Sequence, residues 1–142
     1  MFIVDKKMTL PIGHRLSKHL GRCSSIHGHN LIIHVGVSAK KLNENDMVMD
    51  FGDLKRIMKE TLDVFDHCLL VNVADKDIVK LCSAKGMRII SVDCDPTAER
   101  FAEELFYIVK DELPDDINMH HIKIYENDNS SVVYKEDHEN IQ

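Results

Sequence analysis

No stretch of this 142-residue chain is apolar for long enough to cross a bilayer, which takes ~20 residues of predominantly apolar helix. Its start, Met-Phe-Ile-Val-Asp-Lys-Lys, turns charged too soon for the apolar stretch of a secretory signal, so a cytoplasmic location with no membrane partner is expected. Cysteine is sparse: Cys23, Cys68, Cys82 and Cys94 show no paired C-x-x-C spacing, which argues against a disulfide framework and for reduced thiols. Cations are outnumbered, 18 Lys and Arg against 24 Asp and Glu for a net charge of -6, and they are scattered. No basic stripe offers itself to a phosphate backbone, so nucleic acid is not an expected partner. An anionic substrate would have to be drawn in by a local cluster or a metal, because the overall field repels it. Internal repeats and interdomain linkers are absent too, and residues 1–142 read as a single domain.

Histidine is plentiful instead. The chain has nine, and His14, His19, His27 and His29 crowd into its front. Residues 2–8 alternate as a strand, and Pro11, Gly13 and Gly21 mark a long irregular segment to about residue 25. The Ile- and Val-rich run from His27 to Ala39 predicts a second strand that pairs with the first. Leu54, Ile57, Met58 and Leu62 predict a helix over 53–64, with a weaker helical stretch over 76–84 and a short strand over 87–92. Asp95 as N-cap and Pro96 at the first helical position predict the start of a helix that Pro114 stops. Strands over about 119–126 and 131–135 close the chain as a hairpin, and the charged tail from about 136 is expected to fray. The expected fold class is α+β, an antiparallel sheet with helices packed on one face.

On a strand, His27 and His29 project from the same face roughly 7 Å apart and can share one metal. His14 is the leading candidate for a third nitrogen. His34 has the wrong strand parity and His19 lies in the loop. Three histidines leave a fourth position open, the arrangement of catalytic rather than structural zinc. Cys23 reads either as a base or nucleophile activated beside the metal, or as a fourth ligand. Asp66-His67 offers a carboxylate to orient an imidazole for acid–base work, and Glu126 ends an apolar strand where it can accept paired hydrogen bonds.

These pieces resemble the family of 6-pyruvoyl- and 6-carboxy-tetrahydropterin synthases, from about His14 to Tyr134. The resemblance rests on Gly13-His14-Arg15-Leu16, Cys23-Ser24-Ser25-Ile26-His27-Gly28-His29-Asn30, Met47-Val48-Met49-Asp50-Phe51, Asp66-His67, Pro96-Thr97-Ala98-Glu99 and Tyr125-Glu126. It implies a tunnelling fold (T-fold) that assembles as a homo-oligomeric barrel, trimer or hexamer, with active sites between subunits. It also implies Zn2+ on His14, His27 and His29, Cys23 with Asp66 and His67 as catalytic groups, Glu126 as pterin anchor, and a dihydropterin triphosphate as substrate. Arg15, Lys18 and Arg22 are expected to help hold that anion. Three residues between Cys23 and His27 resemble the queuosine-pathway branch. The implied reaction is conversion of 7,8-dihydroneopterin triphosphate to 6-carboxy-5,6,7,8-tetrahydropterin with release of acetaldehyde and triphosphate. The rivals are the pyruvoyl synthase reaction, a non-catalytic metal- or pterin-binding protein, and aldolase or epimerase chemistry on dihydroneopterin.

Overall fold

The computed structural model describes residues 1–137. Two 13-residue strands, β1 (Phe2–His14) and β2 (His27–Ala39), form its backbone and pair antiparallel along their whole length. After them come α1 (Phe51–Leu62), β3 (Leu69–Asn72), α2 (Lys76–Ala84), β4 (Ile89–Val92), α3 (Ala98–Glu112), β5 (Asn118–Asn127) and β6 (Ser130–Tyr134). The six strands form one sheet in the order β4-β3-β1-β2-β5-β6.

The antiparallel arrangement predicted from sequence holds for β1, β2, β5 and β6. On the other side of β1 the sheet is mixed, because β3 runs parallel to β1 and β4 parallel to β3. Strand β3 has no signature in the sequence, since Leu69, Leu70, Val71 and Asn72 are all buried. A strand covered on both faces reads as a short apolar run without alternation.

Helices α1 and α3 lie on one face, where Leu10, Ile33, Val35, Leu54, Leu105 and Ile122 join a single core. Burying each such side chain contributes roughly 1.5–3 kcal/mol relative to leaving it exposed. Helix α2 differs from the one-face expectation and covers the reverse side, where Cys82 meets Leu69 and Val71 while Leu70 points into the main core. That reversal follows from the two-residue period of β3.

Two boundaries moved for identifiable reasons. Strand β1 continues through Pro11 to His14, so the irregular segment is confined to residues 15–26. Proline deprives the ladder only of a donor, and the Pro11 carbonyl still accepts from the His67 N–H at 3.0 Å. Helix α3 begins at Ala98 with Thr97 as N-cap, its side chain accepting from the Arg100 N–H, rather than at Asp95-Pro96. The Asp95 carboxylate is occupied elsewhere. The helix does end just before Pro114. Of the tail expected to fray from about residue 136, Glu136 is held by Lys110 at 2.8 Å, and the rest, beyond Asp137, lies outside the described residues. No helix among the described residues is long and apolar enough to cross a membrane.

Candidate functional site

The register of the two long strands builds the site. His14 stands directly opposite His27, and Ile12 opposite His29. Directly opposed residues have Cβ atoms ~4.5–5.5 Å apart, and His29, two residues along, returns to the same face. The three rings meet edge to face, with centroids 4.5 Å (His14–His27), 5.1 Å (His14–His29) and 5.0 Å (His27–His29) apart. Gly13 and Gly28 face each other across the ladder. A Cβ on Gly28 would sit 3.1 Å from the Ile12 carbonyl oxygen and 3.7 Å from the Gly13 Cα, so a side chain here would press on the neighbouring strand's backbone.

Two backbone carbonyls orient the imidazoles. His14 Nδ1–H donates to the Pro96 carbonyl at 2.8 Å, and His27 Nδ1–H donates to the Ser25 carbonyl at 2.7 Å. Carbonyls only accept, so both rings carry their proton on Nδ1 and direct a lone pair outward from Nε2. Burial, opposed by the bond to Pro96 and reinforced by neighbouring His27 and His29, lowers the His14 pKa from its ordinary value of 6.5. The shift favours the neutral ring, the form in which an imidazole binds a metal. The His14 and His27 Nε2 atoms nevertheless stand 3.0 Å apart, and His29 Nε2 is buried with no hydrogen-bond partner. Glu126 Oε2 lies 3.1 Å from that nitrogen without meeting it as a hydrogen bond. Lone pairs facing one another and a buried ring nitrogen left unsatisfied are what a cation between them would relieve. The donor set therefore fits a divalent metal with an open coordination position, and among the described residues it is the one such cluster.

Ile12, Leu31, Leu70, Thr97, Phe101 and Glu126 wall a hollow beside His14 and His29. Its free volume within one chain is about 10 Å³, room for roughly one water molecule. A larger cleft of about 730 Å³ lies between β4 and α3, shares Leu70, Pro96 and Phe101 with the hollow, and contains none of the three histidines.

The remaining candidates fall elsewhere. Cys23 is half-buried in a single 3₁₀ turn, Arg22–Ser24, and lies outside the histidine cluster. Asp66 and His67 do pair, Oδ1 to Nδ1 at 2.9 Å, and His67 adopts a left-handed φ of 56° that is uncommon for a non-glycine residue. His67 lines a shallow hollow with Pro11, Gly13, Gly28, His29 and Asn30, and no hydrogen bond joins this pair to Cys23. Arg15, expected to help bind an anion, instead forms an ion pair with Asp75 and donates to the Ser24 carbonyl at 2.7 Å. His34 is committed to Asp5 at 2.6 Å and His19 accepts from the Gly21 N–H at 2.8 Å, so neither competes as a ligand. Sequence reasoning missed the Pro96 and Ser25 carbonyls, which leave no trace in residue identity, and the anchoring role of Asp95. All four cysteines are free thiols.

Comparison with known proteins identifies the family. The family model described as 6-pyruvoyl tetrahydropterin synthase matches residues 3–137. The 6-carboxy-5,6,7,8-tetrahydropterin synthase of Rickettsia typhi is 32% identical over 136 residues, covering 93% of this chain and 99% of that protein. Its counterpart in Rickettsia bellii is 34% identical over 107 residues, covering 74% and 78%. Among solved structures, Caenorhabditis elegans 6-pyruvoyl tetrahydropterin synthase superimposes with a TM-score of 0.69 at 23% identity over 95% of each chain. An uncharacterized protein from Wolinella succinogenes does so at 0.82 with 16% identity, over 96% of this chain and 98% of that one. The structural likenesses establish the shared fold. The match along nearly the whole sequence goes further, and the chain belongs to the 6-pyruvoyl tetrahydropterin synthase family.

Proposed function

We propose that this chain is a zinc-dependent 6-carboxy-5,6,7,8-tetrahydropterin synthase, a lyase that converts 7,8-dihydroneopterin triphosphate and one water to the carboxy-tetrahydropterin with release of acetaldehyde and triphosphate. The observation that carries the reading is the convergence of His14, His27 and His29 beside Glu126, in a chain whose relatives bear that name along almost their full length. His14, His27 and His29 hold the metal, with Nε2 of His14 and His27 presented by the Pro96 and Ser25 carbonyls. Bound zinc supplies Lewis acidity, lowering the pKa of the substrate's side-chain hydroxyls. Glu126, in the wall of the hollow, accepts hydrogen bonds from the guanidine-like edge of the pterin. Cys23 removes a carbon-bound proton, and the Asp66–His67 pair relays protons.

Two features support a site completed by a second subunit of a homo-oligomer, trimer or hexamer. The hollow within one chain is too small for a bicyclic ring, and within one chain the Asp66–His67 pair makes its side-chain hydrogen bond to itself rather than to Cys23. A cytoplasmic enzyme of the queuosine branch accords with this reading. The test is incubation of zinc-loaded protein with 7,8-dihydroneopterin triphosphate, following pterins by mass and acetaldehyde by a coupled assay. Carboxy-tetrahydropterin with acetaldehyde is expected. A pyruvoyl product without acetaldehyde would transfer the assignment to the sister reaction, and no turnover would overturn it.

A further inference from the structure

Asp95 does none of the work expected of a helix cap. Its Oδ1 accepts from Ser17 Oγ at 2.6 Å and from Asn72 Nδ2 at 3.0 Å, and its Oδ2 accepts from the Lys18 backbone N–H at 2.8 Å. Ser17 and Lys18 begin the segment that carries Cys23. That segment is closed on itself, with the Leu16 N–H donating to the Cys23 carbonyl at 3.0 Å and Arg15 Nε to the Ser24 carbonyl at 2.7 Å. The very next residue after Asp95 is Pro96, whose carbonyl holds His14 Nδ1–H. A turn three residues long, Asp95-Pro96-Thr97, therefore grips the Cys23 segment with one residue and a ligand imidazole with the next, and its third residue caps α3.

We propose that Asp95 is a positioning residue that sets the Cys23 segment in register with the three imidazoles. This inference rests on the reading of Cys23 as the base. Asp95 touches neither the imidazoles nor the hollow beside them, so it acts through the segment it holds. The Ser17 and Lys18 contacts provide two anchor points on adjacent residues, which restrain both the position and the twist of the chain entering the Cys23 turn. Asn72 at the end of β3 fixes the carboxylate from behind and ties it to the sheet. The Arg15–Asp75 ion pair secures the same segment at a second point. A carboxylate is suited to this place because it accepts from three donors at once, which an alanine cannot do and an asparagine does only in part.

The experiment is Asp95→Ala and Asp95→Asn, read by three measurements on the full-length protein. The first is alkylation of Cys23 by iodoacetamide, resolved by peptide mass so that neighbouring Cys94 is counted separately. The second is the ligand-field spectrum of the cobalt-loaded protein, and the third is steady-state turnover. Release of the segment should raise the Cys23 alkylation rate about tenfold in Asp95→Ala, with a smaller rise in Asp95→Asn. The cobalt spectrum should be unchanged, since the bond to His14 comes from backbone. Misplacing the base should lower kcat about 10- to 100-fold while KM stays near that of the parent. Unchanged Cys23 alkylation in folded variants would overturn the proposal, as would loss of the cobalt spectrum, which would mean that Asp95 supports the ligands themselves. If Asp95→Ala fails to fold, Asp95→Asn and Ser17→Ala give the same readout. If the parent protein turns over no substrate, the functional reading fails, and alkylation with the cobalt spectrum still decides whether Asp95 holds the segment.

Discussion

His14 Nε2 and His27 Nε2 lie 3.0 Å apart, each with its Nδ1 proton already given to a carbonyl, of Pro96 and Ser25 respectively. Two lone pairs at that distance repel, and the bonds to the Pro96 and Ser25 carbonyls hold the two rings in place. The native fold thus contains an arrangement that a cation stabilises.

Metal removal should therefore destabilise the protein as well as inactivate it. With free metal at 1,000 times its dissociation constant, binding stabilises by about 4 kcal/mol. Chelation should lower the thermal midpoint, and added Zn2+ should restore it. His14→Ala, His27→Ala and His29→Ala should each lose stoichiometric metal by elemental analysis. Full metal content in all three would refute the ligand assignment.

Cys23→Ala should leave metal content unchanged and reduce turnover about 10²–10⁴-fold, the usual contribution of general acid–base catalysis. Undiminished turnover would exclude Cys23 as the base, and loss of metal would make it a ligand.

Glu126→Gln keeps the shape of the side chain and removes the charge that accepts from the pterin edge. Charge-assisted hydrogen bonds contribute about 1.5–3 kcal/mol, so KM should rise about tenfold or more. Substrate titration on the zinc-loaded variant measures this, and an unchanged KM would show that Glu126 does not anchor the ring.

Gly28→Ala should damage the site without altering a ligand. Its Cβ would meet the Ile12 carbonyl oxygen at 3.1 Å, a backbone atom within the ladder that cannot swing aside. Overpacking of this kind costs about 1–3 kcal/mol, and it should weaken metal binding because His27 and His29 flank the displaced residue. Denaturant unfolding with a competitive metal titration reads both, and parent-like values in both would mean that the strands yield more easily than their spacing indicates.

Acid stability should report on Asp95. Burial raises its pKa, but hydrogen bonds from Ser17, Asn72 and the Lys18 N–H, with the Lys18 charge, outweigh burial and bring it from 3.8 down to about 2. The unfolded chain therefore takes up this proton first as pH falls. The stabilisation is complete above the unfolded pKa and is lost between about pH 4 and pH 2. Metal-free Asp95→Asn should show a flatter loss of stability across that window than the metal-free parent, and identical acid limbs would contradict the three-donor arrangement.

Much of the site could be read from residue order. His27 and His29 share a face because a strand repeats every two residues, and the parity that set His34 aside places it on Asp5 instead. Helix α1 followed from apolar residues at helical spacing, and its buried positions include Leu54, Ile57, Met58 and Leu62. Strand β3 was illegible because cover on both faces erases alternation, and α2 went to the reverse face because β3 presents Leu69 and Val71 there. The start of α3 misled for a different reason. Asp95 and Thr97 are both good N-caps, and the choice was made by Ser17, Lys18 and Asn72, which are distant in the chain.

By itself, then, the sequence determined which residues can bind a metal and which faces they occupy, because those properties depend on side-chain chemistry and near neighbours. The tertiary structure alone decided that His14 falls opposite His27, that two carbonyls settle their tautomers, and that Arg15 pairs with Asp75. It also assigned Asp95 to the Cys23 segment rather than to a helix. Each of these outcomes depends on strand register and on contacts between residues far apart in the chain, and the core as a whole stabilises them.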